Sequence, residues 1–229
     1  MRKPVVFDIE GTIGDIAFVR NVLFPYARSR TEPYLKSHWQ DDEMQAILAS
    51  AREASCARLH NAEEASAQFI EWMDQDRKIT PLKTLQGILW REGYESGELK
   101  AHLYTDAVEA FERWHRKGHP LYIYSSGSIA AQKLFLAYSV AGNLTGYFSG
   151  YFDTTTGPKA ERASYEAIAN EIGEAPGNIT FFSDAVPEIE AARLAGISVW
   201  CVDRSRPQLN QVTPEGYPLI GSFAYVSDL

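Results

Sequence analysis

The chain is 229 residues long, carries a formal net charge of −8, and is 45% apolar and 23% charged. That length supports a sizeable core in one or two domains, with the usage of an ordinary soluble globular protein. The acidic balance argues against non-specific binding to nucleic acid or an anionic membrane, both of which want basic patches, yet leaves room for a phosphorylated small molecule at a local positive centre.

The first element is a strand. Val5, Val6, Phe7 and Ile9 form an apolar run suited to a buried position, and Gly11 permits a sharp turn out of the sheet. Asp8 and Glu10, two residues apart, project to one side of an extended chain, where two carboxylates repel unless a cation or a proton joins them. Ile13-Gly14-Asp15 reads as a hinge. From Ile16 to about Gly93 the pattern is helical. Phe18, Val19, Val22, Leu23 and Tyr26 recur at helical spacing before Pro33; Asp41 or Asp42 caps a helix with Met44, Ile47 and Leu48; Asn61 or Ala62 opens one with Phe69 and Trp72; and Thr80-Pro81 opens one closed by Gly93 and Gly97.

From Tyr104 strands and helices alternate. Val108 to Lys117 is a helix closed by Gly118, Pro120 to Tyr124 a strand running into Ser125-Ser126-Gly127-Ser128, and a helix with Leu134 and Phe135 follows. Tyr147 to Asp153 is a strand, Ala160 to Ile172 a helix, Ile179 to Phe182 a strand ending in Ser183-Asp184, Ile189 to Ala195 a helix, and Ile197 to Val202 a strand. A late strand is expected near Phe223–Val226. Short apolar strands alternating with helices predict a parallel sheet with crossover helices.

Ligands of such a sheet bind beyond the carboxyl ends of its strands, and Asp8, Ser125 and Asp184 all fall there. A carboxylate such as Asp8 can attack phosphorus, and Glu10 can protonate the leaving alkoxide and later deprotonate water. Asp8 with Asp184 suits a hard divalent cation such as Mg²⁺, Ser125 at a helix start suits a phosphate, and Lys159 after Gly157-Pro158 adds positive charge. Taken singly, each has a plainer reading: Ser125, Ser126 and Ser128 as helix-capping residues, Asp184 as an N-cap with Glu188 in the first turn, Lys159 as a solvated lysine. The ordered set is harder to assign to chance. Histidines 38, 60, 102, 115 and 119 lack ligand spacing, and Cys56 and Cys201 are too few for a disulfide framework or a zinc cluster. No apolar run spans a bilayer and no signal peptide follows Arg2 and Lys3, so a cytoplasmic monomer with no membrane or nucleic-acid partner is expected.

The order Asp8-x-Glu10-Gly11-Thr12, Ser125, Lys159 and Ser183-Asp184-x-x-x-Glu188 resembles the haloacid dehalogenase superfamily. Glu10 stands where most phosphatases of that superfamily carry a second Asp, and this variant resembles the enolase-phosphatase (acireductone synthase) family of methionine salvage. The likeness runs through Phe18-Val19, Val22 to Tyr26, Gln86-Gly87-x-x-Trp90, Tyr122 to Ser128 with Gln132-Lys133, and Tyr151 to Thr154 with Gly157 to Lys159. Ile13-Gly14-Asp15 departs from it, since the family commonly carries threonines and a proline there. The resemblance implies an α/β fold, a Rossmann-like parallel sheet flanked by helices over residues 1–14 and 101–229, with an all-helical cap inserted over 15–100. It implies Mg²⁺ held by Asp8, Asp184 and the backbone carbonyl of Glu10, substrate contacts from Ser125, Ser126 and Lys159, and supporting places for Thr12, Ser183 and Glu188. The implied reaction enolises a phosphorylated methylthio diketone and then dephosphorylates it, through an aspartyl-phosphate on Asp8, to the acireductone. Rival readings are a phosphatase of another phosphometabolite and a non-catalytic phosphometabolite-binding protein on the same fold.

Overall fold

A computed structural model of the chain describes residues 2–227 and 229. The chain divides into two compact units, Met1–Ile16 with Ala101–Leu229, and Ala17–Lys100. The first opens with β1 (Val5–Phe7). Next come α1 (Ile16–Phe18), a π-helical segment over Val19–Leu23, α2 (Phe24–Ser37), α3 (Asp42–Ser55), α4 (Ala62–Asp74) and α5 (Thr80–Glu95).

The helical unit buries Leu35, Leu48, Phe69, Trp72, Leu85 and Leu89 in a core of its own. The start of α4 is capped from both sides: Asn61 Oδ1 accepts from the Glu64 N–H at 2.8 Å, and Glu64 Oε2 reaches back past the cap to accept from the His60 N–H at 2.8 Å. Three expected boundaries move. Pro33 lies inside α2, not after it, at the cost of one helical hydrogen bond to the Ser29 carbonyl. Gly93 lies inside α5, because its missing Cβ makes room for Leu99 and Tyr26, whose atoms would stand 2.7 and 2.8 Å from a methyl there. Residue Ile79, not Thr80, takes the N-cap position of α5, with no side-chain cap.

The chain re-enters the first unit with α6 (Thr105–Arg116), β2 (Leu121–Tyr124), α7 (Ile129–Ala137), β3 (Phe148–Phe152), α8 (Arg162–Ile172), β4 (Thr180–Ser183), α9 (Val186–Leu194), β5 (Ser198–Val202), β6 (Asn210–Val212) and β7 (Pro218–Ile220). The sheet order is β3-β2-β1-β4-β5-β7-β6, and β6 alone runs antiparallel to its neighbour. This is the expected α/β fold. The central strands read as near-continuous apolar runs because helices cover both faces of a parallel sheet. On one face Phe7 stacks on Trp114 and Phe182 at 5.8 and 5.6 Å; on the other Val6 packs with Tyr165, Ile168, Phe181 and Ile189.

The late strand expected near Phe223–Val226 is a 3₁₀ turn over Phe223–Tyr225. Asp106 Oδ2 accepts from the Phe223 N–H at 2.8 Å and Ser222 Oγ accepts from the Ala224 N–H at 3.2 Å, so the local donors are consumed by a turn rather than a ladder. Phe223 then plugs the aromatic cluster, 5.0 Å from the Phe182 ring. Among the described residues no helix is long and apolar enough to cross a membrane.

Candidate active site

In β1, Phe7 pairs with Ile123 of β2 and Phe182 of β4. Asp8 is therefore level with Tyr124 and Ser183, and Ser125 and Asp184 each lie one residue further along the same edge. The strand end is closed by a tight turn in which Thr12, Ile13 and Gly14 all donate their N–H groups to the Ile9 carbonyl, at 3.2, 3.0 and 2.8 Å. Gly11 takes φ +73°, and a Cβ there would stand 2.3 Å from Asp184 Oδ2; the turn needs glycine on both counts. It folds Thr12 inward, where one hydroxyl does two things. Thr12 Oγ1 donates to Asp8 Oδ2 at 3.2 Å and accepts from the Asp184 N–H at 3.0 Å, tying the ends of β1 and β4 together.

On the other oxygen of Asp8 sits Lys159, whose ammonium also pairs with Glu188 Oε2 at 2.7 Å. Ser183 Oγ donates to the same Glu188 oxygen at 2.9 Å. Burial alone favours a neutral Lys159, but the charges and hydrogen bonds of Asp8 and Glu188 outweigh it and hold the ammonium protonated well above its ordinary range. Burial, then the charge of Asp8, raises the Glu188 carboxyl, and Lys159 offsets this only in part. Burial, then the charges of Asp8 and Glu10, pushes Asp184 up to about 6. The cluster thus carries more carboxylate charge than Lys159 balances.

That imbalance fits a divalent cation, and the donors are the hard oxygens such a cation takes: the Asp8 and Asp184 carboxylates, with the Glu10 backbone carbonyl between them in sequence. Among the described residues no three His, Cys, Asp or Glu side chains gather closely enough to hold a metal by themselves.

Ser125, 4% exposed, is tied to the neighbouring strand and to its own loop: its N–H donates to the Phe152 carbonyl at the end of β3 at 3.2 Å, and its Oγ accepts from the Gly127 N–H at 3.3 Å. The helix-capping role falls to Ser128, which accepts from the Ala131 N–H at 3.3 Å. Gln132 Nε2 donates to the Gly127 and Phe152 carbonyls at 2.8 Å each, and Asp153 Oδ2 accepts from the Ile129 N–H at 3.2 Å. Asp184 is not the N-cap of α9; Ala185 takes that place. Asp8, Thr12, Lys159, Ser183, Asp184 and Glu188 thus form one bonded cluster. Half-buried Glu10 lies in the turn, and Ser125 and Ser126 line the adjoining strand end.

Sequence reasoning missed Arg204 and Asp106. Arg204 donates Nε and Nη2 to the Thr12 carbonyl at 2.8 and 2.6 Å and Nη1 to Asp106 Oδ2 at 2.7 Å. Its guanidinium lies between the rings of Tyr104 and Phe223, 4.3 and 4.8 Å from their centroids. The pair fixes the turn from behind through a backbone oxygen, which carries no sequence signature.

The family model of the haloacid dehalogenase-like hydrolases matches residues 3–196. A curated relative named enolase-phosphatase E1, from Alcanivorax borkumensis, is 45% identical over 227 residues, 99% of each chain. Its namesake from Aquifex aeolicus is 49% identical over 199 residues, 87% of this chain and 89% of that one. Among solved structures the UTR4 protein of Saccharomyces cerevisiae aligns with a TM-score of 0.82 at 32% identity, over 99% of this chain and 100% of that one.

Proposed function

The chain belongs to the haloacid dehalogenase-like hydrolases and, within them, to the enolase-phosphatases, and from that membership we propose that it turns 2,3-diketo-5-methylthiopentyl-1-phosphate into the acireductone of methionine salvage, by enolisation and then dephosphorylation. The observation that carries the reading is the buried Asp8–Lys159 pair, tied through Thr12 to Asp184. A divalent cation, assigned as Mg²⁺, would be held by Asp8, Asp184 and the Glu10 carbonyl, and when bound supplies Lewis-acid polarisation and neutralises phosphate charge.

The chain's own residues divide the remaining work. Lys159, held protonated, binds the phosphate and is unsuited to act as a base. Glu10, near enough for its charge to act on Asp184, takes the carbon-bound proton in the enolisation step and delivers it to the adjacent ketone oxygen, which becomes the enol hydroxyl. Asp8, its rotamer fixed by Thr12 on one oxygen and Lys159 on the other, attacks phosphorus. The P–O bond to the enol breaks, Glu10, reprotonated from solvent after the enolisation, protonates the departing oxygen, and an aspartyl-phosphate remains. Water, deprotonated by Glu10, then attacks that phosphorus and frees inorganic phosphate and the Asp8 carboxylate. Ser125 and Ser126 contribute hydroxyl and backbone N–H groups to the phosphate, while Ser183 and Glu188 keep Lys159 in place.

The test is an assay with the diketo phosphate that follows enol absorbance and free phosphate separately. Both signals, in that order, are expected. Release of phosphate from an aryl phosphate, with neither enol nor phosphate from the diketo compound, would assign the chain to another phosphometabolite.

A further inference from the structure

Lys159 stands on the irregular connection between β3 and α8, on a long flexible side chain that loses much rotamer freedom when it is fixed. The carbonyls of such a connection have no strand or helix partner and must be satisfied another way. Here three hydroxyls bond three carbonyls in succession, the Pro158 carbonyl also accepting from the Glu161 N–H at 3.0 Å. Tyr124 donates to Gly157 at 2.9 Å, Ser164 to Pro158 at 2.7 Å, and Tyr165 to Lys159 itself at 2.8 Å. The donors come from the last residue of β2 and from adjacent positions early in α8, and all three residues are at most 2% exposed.

The surroundings of this row are as specific as the bonds. Gly157 adopts φ +150°, and a Cβ there would stand 2.2 Å from Ser164 Oγ, so the loop approaches α8 as closely as backbone allows. The Tyr124 and Tyr165 rings meet edge to face at 5.5 Å, and the Tyr124 ring lies 5.6 Å below the Lys159 ammonium. Burial raises both phenols, with the Glu188 charge adding to it at Tyr165, so each stays a proton donor through the neutral range.

We propose that Tyr124, Ser164 and Tyr165 are positioning residues for Lys159, fixing three consecutive carbonyls so that its ammonium meets Asp8 and the phosphate at one place. The inference deepens the phosphatase reading above and rests on it. Tyr165→Phe keeps the ring and deletes only the hydroxyl, and Ser164→Ala deletes the neighbouring one. Displacing a catalytic group by about 1 Å can cost roughly a hundredfold, and removing outer partners of a functional group about ten- to a hundredfold.

The experiment is a double-mutant cycle with Lys159→Ala, reading hydrolysis of an aryl phosphate in Mg²⁺ and affinity for inorganic phosphate from its effect on melting temperature. In the wild-type background each hydroxyl deletion should lower kcat/KM and phosphate affinity by at least about tenfold; in the Lys159→Ala background each should change them by less than about twofold. Equal losses in both backgrounds, or no loss in either, overturn the proposal. Should Tyr165→Phe fail to fold, Ser164→Ala carries the cycle, and phosphate affinity serves where the Lys159→Ala rate is too low to read. A wild-type enzyme active on the aryl phosphate but inert on the diketo phosphate refutes the substrate assignment alone and leaves the cycle to judge the positioning.

Discussion

Arg204→Met removes the guanidinium fork and keeps an apolar stem over Tyr104 and Phe223. Lost with it are the two bonds to the Thr12 carbonyl, the ion pair to Asp106 and a weaker 3.3 Å bond to the Gly221 carbonyl. Breaking a fully buried ion pair by removing one partner costs about 3–5 kcal/mol. Asp106 is a fifth exposed and keeps the Ser222 hydroxyl and the Phe223 N–H, which points to the low end, about 3 kcal/mol. In a chain of this length that corresponds to a fall of about 6–12 °C in melting temperature. The charge state of Asp106 gives a second signature. Burial opposes its ionisation, but Arg204, Ser222 and the Phe223 N–H outweigh burial and depress its pKa. A depressed carboxyl contributes stability above its unfolded value, about 3.9, and loses that contribution as pH falls through the lower folded value. Urea unfolding of wild type and variant should therefore differ most near neutrality, and the difference should narrow as pH falls below about 4, leaving the pH-independent loss of the bonds to the Thr12 carbonyl. Arg204→Lys, which keeps the charge but not the fork, should recover only part of the difference. A Met variant within about 0.5 kcal/mol of wild type at pH 7, with full phosphatase activity, would refute the view that this pair anchors the catalytic turn.

Other perturbations reach the site and the core separately. Excess chelator should abolish phosphate release and Mg²⁺ should restore it, as followed by a phosphate assay; full activity in chelator would remove the cation from the reaction. Gly11→Ala should drive a methyl into Asp184 and strain the +73° turn, lowering metal affinity and activity by at least about tenfold, read by the Mg²⁺ concentration needed for half activity. Phe7→Ala opens a cavity beneath Trp114 and Phe182 and should cost about 3–5 kcal/mol in urea unfolding, with no direct effect on the residues of the cluster.

The parts of the fold legible in the sequence are those whose side chains meet the core. Val5–Phe7, Leu121–Tyr124 and Thr180–Ser183 announce themselves because both sheet faces are covered and every position is apolar or small. Asn210–Val212 is exposed at every position, so it has no period to detect, and its partner Pro218–Ile220 is too short to show one. Phe223 carries a core side chain on a turn, which mimics a strand in composition. The punctuation residues Pro33 and Gly93 misled for a related reason: their cost is local, and tertiary packing outweighs it. Of the site, Asp8 and Asp184 stand out as acids at the ends of apolar runs, and Lys159 as a lysine directly after Gly157-Pro158. Arg204, Ser164 and the two tyrosines donate to backbone oxygens, which every residue owns, and Asp106 acts by holding Arg204, so only the folded geometry identifies them.

Asp8→Asn separates the attack on phosphorus from the enolisation step. An amide is a poor nucleophile, while relief of carboxylate repulsion lets the fold persist. With the diketo phosphate under saturating Mg²⁺, enol absorbance should rise and stay, and free phosphate should fall by about a thousandfold or more relative to wild type. Phosphate released at near the wild-type rate would exclude Asp8 as the nucleophile, and absence of enol in a variant that still binds Mg²⁺ and substrate would refute the separation of the two steps.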